Sequence, residues 1–140
     1  MQKFGQKLGL LLRGGMVLEL VGDVGAGKTT LTKSIAGALG IEGPIQSPTF
    51  TICNRYQTPS GLQLAHYDFY RLAEAGIMRE ELGESLDDPN TITVIEWGDI
   101  VADILPKNRL TITITAPSET ERMLNVEGKG ALLSIEDALA

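Results

Sequence analysis

The decapeptide VGDVGAGKTT, residues 21–30, constrains this chain more than any other stretch, because from Gly22 to Thr29 it fits G-x-x-x-x-G-K-[ST]. At ordinary residue frequencies a chance match arises at about 1 in 30,000 positions, too seldom to explain one in a chain of 140 residues. Its flanks supply what the motif needs. MVLELV (16–21) is an apolar run of strand length directly before it, and from Lys28 onward Leu31, Ile35, Ala38 and Leu39 fall on one face of a helix that Gly40 would end. In a strand, loop, helix arrangement the glycines let successive backbone N–H groups approach an anion, and the helix N-terminus adds its partial positive charge. Gly22, Asp23, Gly25, Ala26, Gly27, Lys28, Thr29 and Thr30 are therefore the expected nucleotide-binding residues. Lys28 would reach the β and γ phosphates, and the Thr29 hydroxyl would ligate Mg²⁺.

A loop that grips phosphate does not say what the phosphate is used for, so the rest of the chain has to. At this length a single domain buries about two thirds of its unfolded surface and folds without staples. One cysteine, Cys53, excludes an internal disulfide, and in the apolar context FTIC it reads as a small buried residue rather than a reactive thiol. No export signal is seen and LGLLL (8–12) is too short to span a bilayer, so a cytoplasmic protein with no membrane partner is expected. Residues 1–40 carry five basic and two acidic side chains, whereas 41–140 carry seven and sixteen, within a net charge of −6. Such an acidic chain is a poor stand-alone binder of nucleic acid, so any RNA would be held by a partner.

Periodicity predicts a helix near 2–12, a strand at 16–21, a helix at 28–39, and strands near 49–56 and 62–70. A short helix or loops occupy 71–88, strands follow at 91–96, 109–116 and about 121–127, and ALLSIEDALA (131–140) reads as a tail with a loosely held terminal helix. LTITIT (110–115) alternates strictly, as antiparallel strands with one wet face do, which makes the sheet mixed.

Phosphate chemistry needs carboxylates, because Mg²⁺ prefers oxygen ligands and a hydrolytic water must be oriented. TITVIEW (91–97) is an apolar strand ending in Glu96, the pattern by which a strand beside the loop delivers a carboxylate from its C-terminal edge. In HYDFYR (66–71), an extended backbone puts His66, Asp68 and Tyr70 on one face with Leu62 and Leu64. Both acids have ordinary alternatives as surface or turn groups, His66 as a satisfied structural residue, and Trp97 as a core or edge aromatic that would also be able to pack over the site. In SPTF (47–50), Pro48 keeps Ser47 out of helix, and Thr49 stands in a loop of the kind that senses a γ-phosphate or simply makes a local turn.

Taken together, GDVGAGKTT, SPTF, HYDFYR and IEW, in this order and spacing, resemble the TsaE family, formerly YjeE, over about Leu8 to Gly130. The resemblance implies an α/β fold, a P-loop NTPase-like three-layer sandwich with a mixed, mainly parallel central sheet, formed by one ATPase domain at 1–130. It implies ATP and Mg²⁺ as cofactors, catalytic roles for Lys28, Asp68 and Glu96, and magnesium ligation by Thr29 and Glu96. Asp68 would lie behind the ligands or position the attacking water, with Thr49, His66 and Trp97 as switch-like or accessory residues. Arg122, in the family's final strand motif, would lie near the nucleotide base. Gly98 and Asp99 depart from the Pro and Glu common in the family. The implied partner is the TsaD and TsaB complex, which transfers threonylcarbamoyl to adenosine 37 of tRNA, with ATP hydrolysis resetting the complex and tRNA touched only indirectly. Intrinsic ATPase activity is expected to be low, since no arginine finger is placed by motif.

The rival reading is a small-molecule or nucleotide kinase, which would need a lid with clustered arginines; those at 55, 71, 79, 109 and 122 are scattered. A GTPase would carry an NKxD segment to read guanine, and none is seen. A nucleotide-gated docking module with feeble hydrolysis is partly compatible with the family reading.

Overall fold

The computed structural model describes residues 1–23, 25–48, 51–74 and 76–139. Helix α1 (Gln2–Leu11) precedes β1 (Val17–Val21), the glycine loop and α2 (Lys28–Ala38); β2 (Cys53–Gln57) and β3 (Gln63–Asp68) follow. Then come α3 (Met78–Asp87), β4 (Thr91–Glu96), β5 (Leu110–Thr115), β6 (Met123–Gly128) and α4 (Leu133–Leu139).

The six strands make one sheet in the order β2-β3-β4-β1-β5-β6. The inner four, β3, β4, β1 and β5, run parallel, and each edge is closed by an antiparallel neighbour, β2 on β3 and β6 on β5. This is the expected mixed, mainly parallel sheet. A strand covered on both faces is buried along its whole length, and all six residues of β4 are, Thr91, Thr93 and the terminal Glu96 among them. Alternate residues feed two cores. Leu18, Leu20, Leu64, Ile92 and Val94 pack with Leu8 of α1 and Leu31 and Ile35 of α2, whereas Val17, Ala65, Tyr67 and Ile95 pack with Leu82 of α3 and with Val101 and Leu105.

Three expectations are refined. The segment 71–88, left between helix and loop, contains a ten-residue helix. The alternation of LTITIT does reflect one buried face, Leu110, Ile112 and Ile114, but β5 is antiparallel only to β6 and parallel to β1. The terminal helix is present as α4, and Leu132 and Ile135 are buried in the same core as α1 and α2. Among the described residues no helix is long and apolar enough to cross a membrane. Cys53 is half-buried on the edge strand β2, where desolvation pushes its thiol above its ordinary value.

Candidate active site

Parallel strands end together, so whatever the inner strands carry at their C-termini meets at one sheet edge. Here β4 lies directly between β3 and the loop strand β1, and the register pairs Asp68 with Glu96 and Glu96 with Leu20. The chain then turns from β1 through the loop into α2, with Gly27 as the residue before the helix at φ 114°, ψ 17°, a left-handed conformation that a side chain would strain. Lys28 and Thr29 therefore open α2 beside two carboxylates delivered by β3 and β4. A cleft of about 310 Å³ brings them together: Gly25, Gly27, Lys28, Thr29 and Thr30 from the loop face Asp68, Glu96 and Trp97, with Ser47 and Tyr70 at its wall.

Lys28, Asp68 and Glu96 are only 6%, 4% and 3% exposed, so each must find its partner within the protein. The Lys28 ammonium donates to the carbonyls of Gly22 and of Asp23, the latter at 3.3 Å, and lies 4.4 Å from the centre of the Trp97 ring. Burial holds its pKa below the ordinary lysine value, while the charges of Glu96, Asp68 and Asp23 act to raise it. Asp68 Oδ1 accepts the Tyr70 N–H at 2.9 Å, which fixes the carboxylate against the turn that follows β3. Glu96 Oε2 is hydrogen-bonded to His66 Nε2.

Trp97 sits immediately after Glu96 with φ 56° and ψ 48°, an uncommon conformation for a bulky residue. The turn aims its indole back over the cleft, between the Lys28 ammonium and Tyr70, whose ring centroid is 4.8 Å away. The two readings of Trp97 do not exclude each other here: it packs against the core that holds Tyr67, Phe69 and Val101, and its ring also lines the cleft. Such backbone strain costs on the order of 1–3 kcal/mol and is characteristic of functional sites.

The remaining loop residues serve a second hollow. Gly22, Asp23 and Ala26, with Gly25, line a space of about 500 Å³ against Thr113, Ile114 and Ala116 at the end of β5. Arg122 reaches across from the β5–β6 hairpin: its Nε donates to Ala26 O at 3.0 Å and its Nη1 to Glu121 O at 2.8 Å, so it ties the hairpin to the loop backbone. Thr49 lies outside the described residues. A roomier hollow of about 590 Å³ beside α3, lined by Arg55, Glu80, Glu81, Glu84 and Asp88, contains none of the loop residues.

Among the described residues no three His, Cys, Asp or Glu side chains form a group that would hold a metal ion alone. The cleft instead suits a cation shared with a bound phosphate: two buried carboxylates against one ammonium leave it net negative, and Thr29 lines the same cleft. Mg²⁺ is held in this way in nucleotide sites, by one or two protein oxygens plus phosphate and water.

Sequence inspection missed three features of the site. The His66 to Glu96 bond, the cover that Tyr70 gives Trp97, and the Arg122 tie to Ala26 all depend on partners distant in sequence. The only signal available for the first was that His66 and Asp68 share a face of one strand.

Comparison with known proteins agrees with this architecture. Residues 1–124 match the family model described as "Threonylcarbamoyl adenosine biosynthesis protein TsaE". The chain is 40% identical over 119 residues to the tRNA threonylcarbamoyladenosine biosynthesis protein TsaE of Bacillus subtilis, an alignment covering 83% of this chain and 72% of that protein. It is 36% identical over 115 residues to the Streptomyces coelicolor protein of the same name, covering 81% and 78%. The crystal structure of YdiB from Bacillus subtilis superposes with a TM-score of 0.77 at 30% identity, over 99% of this chain and 85% of that one. A family model spanning nearly the whole chain, relatives at this identity and a shared fold together place the chain in the TsaE family of threonylcarbamoyl adenosine biosynthesis proteins.

Proposed function

We propose that this protein binds and hydrolyses ATP in the cytoplasm to support turnover of a TsaD and TsaB complex in the threonylcarbamoylation of tRNA adenosine 37. The observation that carries the ATPase reading is the meeting of Lys28, Thr29, Asp68 and Glu96 in one cleft where the parallel strands end.

In this reading the loop N–H groups and the α2 N-terminus hold the β and γ phosphates. The Lys28 ammonium exchanges its loop carbonyls for phosphate oxygens, a swap of neutral for anionic acceptors that restores the protonated state which burial disfavours. Mg²⁺, with Thr29 and Glu96 as protein ligands, would supply charge neutralisation across the phosphates. Asp68, held by the Tyr70 N–H, orients the attacking water. Water oxygen bonds to the γ phosphorus, the bond to the β–γ bridging oxygen breaks, and ADP and phosphate leave with the water's proton passed to solvent or phosphate. Trp97 and Tyr70 keep bulk water from Lys28.

The acidic balance of residues 41–140 supports docking on a protein complex rather than on tRNA. The test is multiple-turnover threonylcarbamoylation of tRNA by TsaC, TsaB and TsaD with and without this protein and ATP. The protein is expected to raise the number of turnovers only when ATP is present. No effect, together with phosphoryl transfer to a nucleoside or sugar, would establish the kinase reading instead.

A further inference from the structure

His66 has no part in the roles above, yet its placement is costly. The side chain is wholly buried within the sheet, and its Nδ1 has no hydrogen-bond partner among the described residues. An unsatisfied buried polar atom is destabilising, so a leucine would serve a purely structural role better. The register explains what the ring reaches. His66 pairs with Val94 on the adjacent parallel strand, two residues before Glu96 and on the same face, so the imidazole points along the strand to the carboxylate at its end. A carboxylate only accepts, so His66 Nε2 carries the hydrogen and donates it to Glu96 Oε2. Glu96 Oε1 takes no hydrogen bond among the described residues.

We propose that His66 is a positioning residue: it anchors Glu96 through Oε2 so that Oε1 faces the cleft in the orientation needed by the magnesium shell of the nucleotide. Without that anchor the carboxylate of a strand-terminal glutamate turns freely about its last bond and meets the cation in a fraction of its orientations. Removing a group that orients a metal-ligating side chain typically lowers metal affinity or activity 10- to 100-fold. The proposal rests on the reading of Glu96 given above, and its test separates the two.

Trp97 is the only tryptophan of the chain and lies beside Lys28, so its fluorescence is expected to change when ADP binds. ADP would be titrated in EDTA and then against rising Mg²⁺ for the wild type, His66→Gln, His66→Asn and His66→Leu, with melting temperatures measured alongside. Gln places its amide nitrogen where Nε2 lies, whereas Asn reaches only as far as Nδ1. His66→Asn and His66→Leu are expected to need roughly 10–100 times more Mg²⁺ for half-maximal response, with ADP affinity in EDTA within about threefold of wild type. His66→Gln should recover most of the difference, and kcat for ATP should follow the same order while KM stays nearly constant. A folded His66→Asn variant with the wild-type Mg²⁺ requirement overturns the proposal, as does His66→Gln behaving like His66→Asn. A wild type whose ADP binding ignores Mg²⁺ would instead overturn the assignment of Glu96 itself.

Discussion

Alanine at Gly9 and alanine at Gly83 should move stability in opposite directions, although both positions are helical. On α1, Gly5 and Gly9 lie one turn apart and face Ser34 and Ala38 of α2. A Cβ on Gly9 would stand 2.5 Å from Ala38 Cβ and 2.9 Å from Ile35 O, against about 3.5–4.0 Å for an ordinary contact, so the helices would have to part by about 1 Å. Overpacking of this kind costs about 1–3 kcal/mol, while replacing a helical glycine by alanine returns about 1 kcal/mol, for a net loss of about 0–2 kcal/mol. Gly83, in α3, has nothing within 4 Å of its would-be Cβ, so Gly83→Ala should gain about 0.5–1 kcal/mol. The gap between the two variants is thus about 0.5–3 kcal/mol, or roughly 2–10 °C in Tm for a domain of this size. Urea unfolding followed by far-UV circular dichroism measures both. Gly5→Ala added to Gly9→Ala should cost less than the sum of the two, because one displacement of α1 relieves both clashes. Because α2 begins at Lys28, the seam also positions the phosphate loop, and Gly9→Ala should weaken ADP binding where Gly83→Ala does not. Equal stabilities for Gly9→Ala and Gly83→Ala would refute the close-packed seam.

Glu96→Gln retains an acceptor for His66 but removes the charge, so ATP hydrolysis should fall at least 10- to 100-fold while ADP binding in EDTA persists; unchanged steady-state turnover would remove Glu96 from the metal site. Tyr67 donates to or accepts from Ser85 Oγ at 2.7 Å and accepts from Arg55 Nη2 at 2.8 Å, and desolvation pushes its pKa up to about 12 from 10.0. The folded state thus keeps the phenol proton longer than the unfolded chain, so this contribution is complete below pH 10 and is lost as pH rises towards 12. Tyr67→Phe should cost about 1–3 kcal/mol near neutral pH and flatten that alkaline decline in urea-unfolding curves. Lys28→Met should abolish ADP binding and also remove the gain in stability with pH just below 10.5, where the buried lysine gives up its proton more readily than the unfolded one. Equal slopes for the two proteins there would show that Lys28 is no easier to deprotonate when folded.

The loop between β1 and α2 was legible in the sequence because its features are local. Glycines that take positive φ, a lysine and a hydroxyl at fixed offsets, and the start of a helix are all encoded within Gly22 to Thr29. Period-2 alternation placed Leu110, Ile112 and Ile114 on a buried face for the same reason, since successive side chains of any strand point to opposite sides. Strand edges were less legible: β3 stops at Asp68, where its N–H bonds Ile52 O rather than continuing a ladder to Tyr70. Sequence alone also offered Glu96 and Asp68 as separate candidates. Only the pairing of β3 with β4 in parallel register set them side by side, and only that register brought His66, thirty positions away, onto Glu96. The same holds for Glu19, an acid inside an apolar strand, whose partner Arg109 at 3.0 Å arrives from ninety positions later in the chain. The sequence by itself determined that a glycine-rich loop joins a strand to a helix, with a lysine and a hydroxyl at the helix start. What surrounds that loop was decided by tertiary structure, because hydrogen bonds between neighbouring strands are set by register, a property of two segments together and of neither alone.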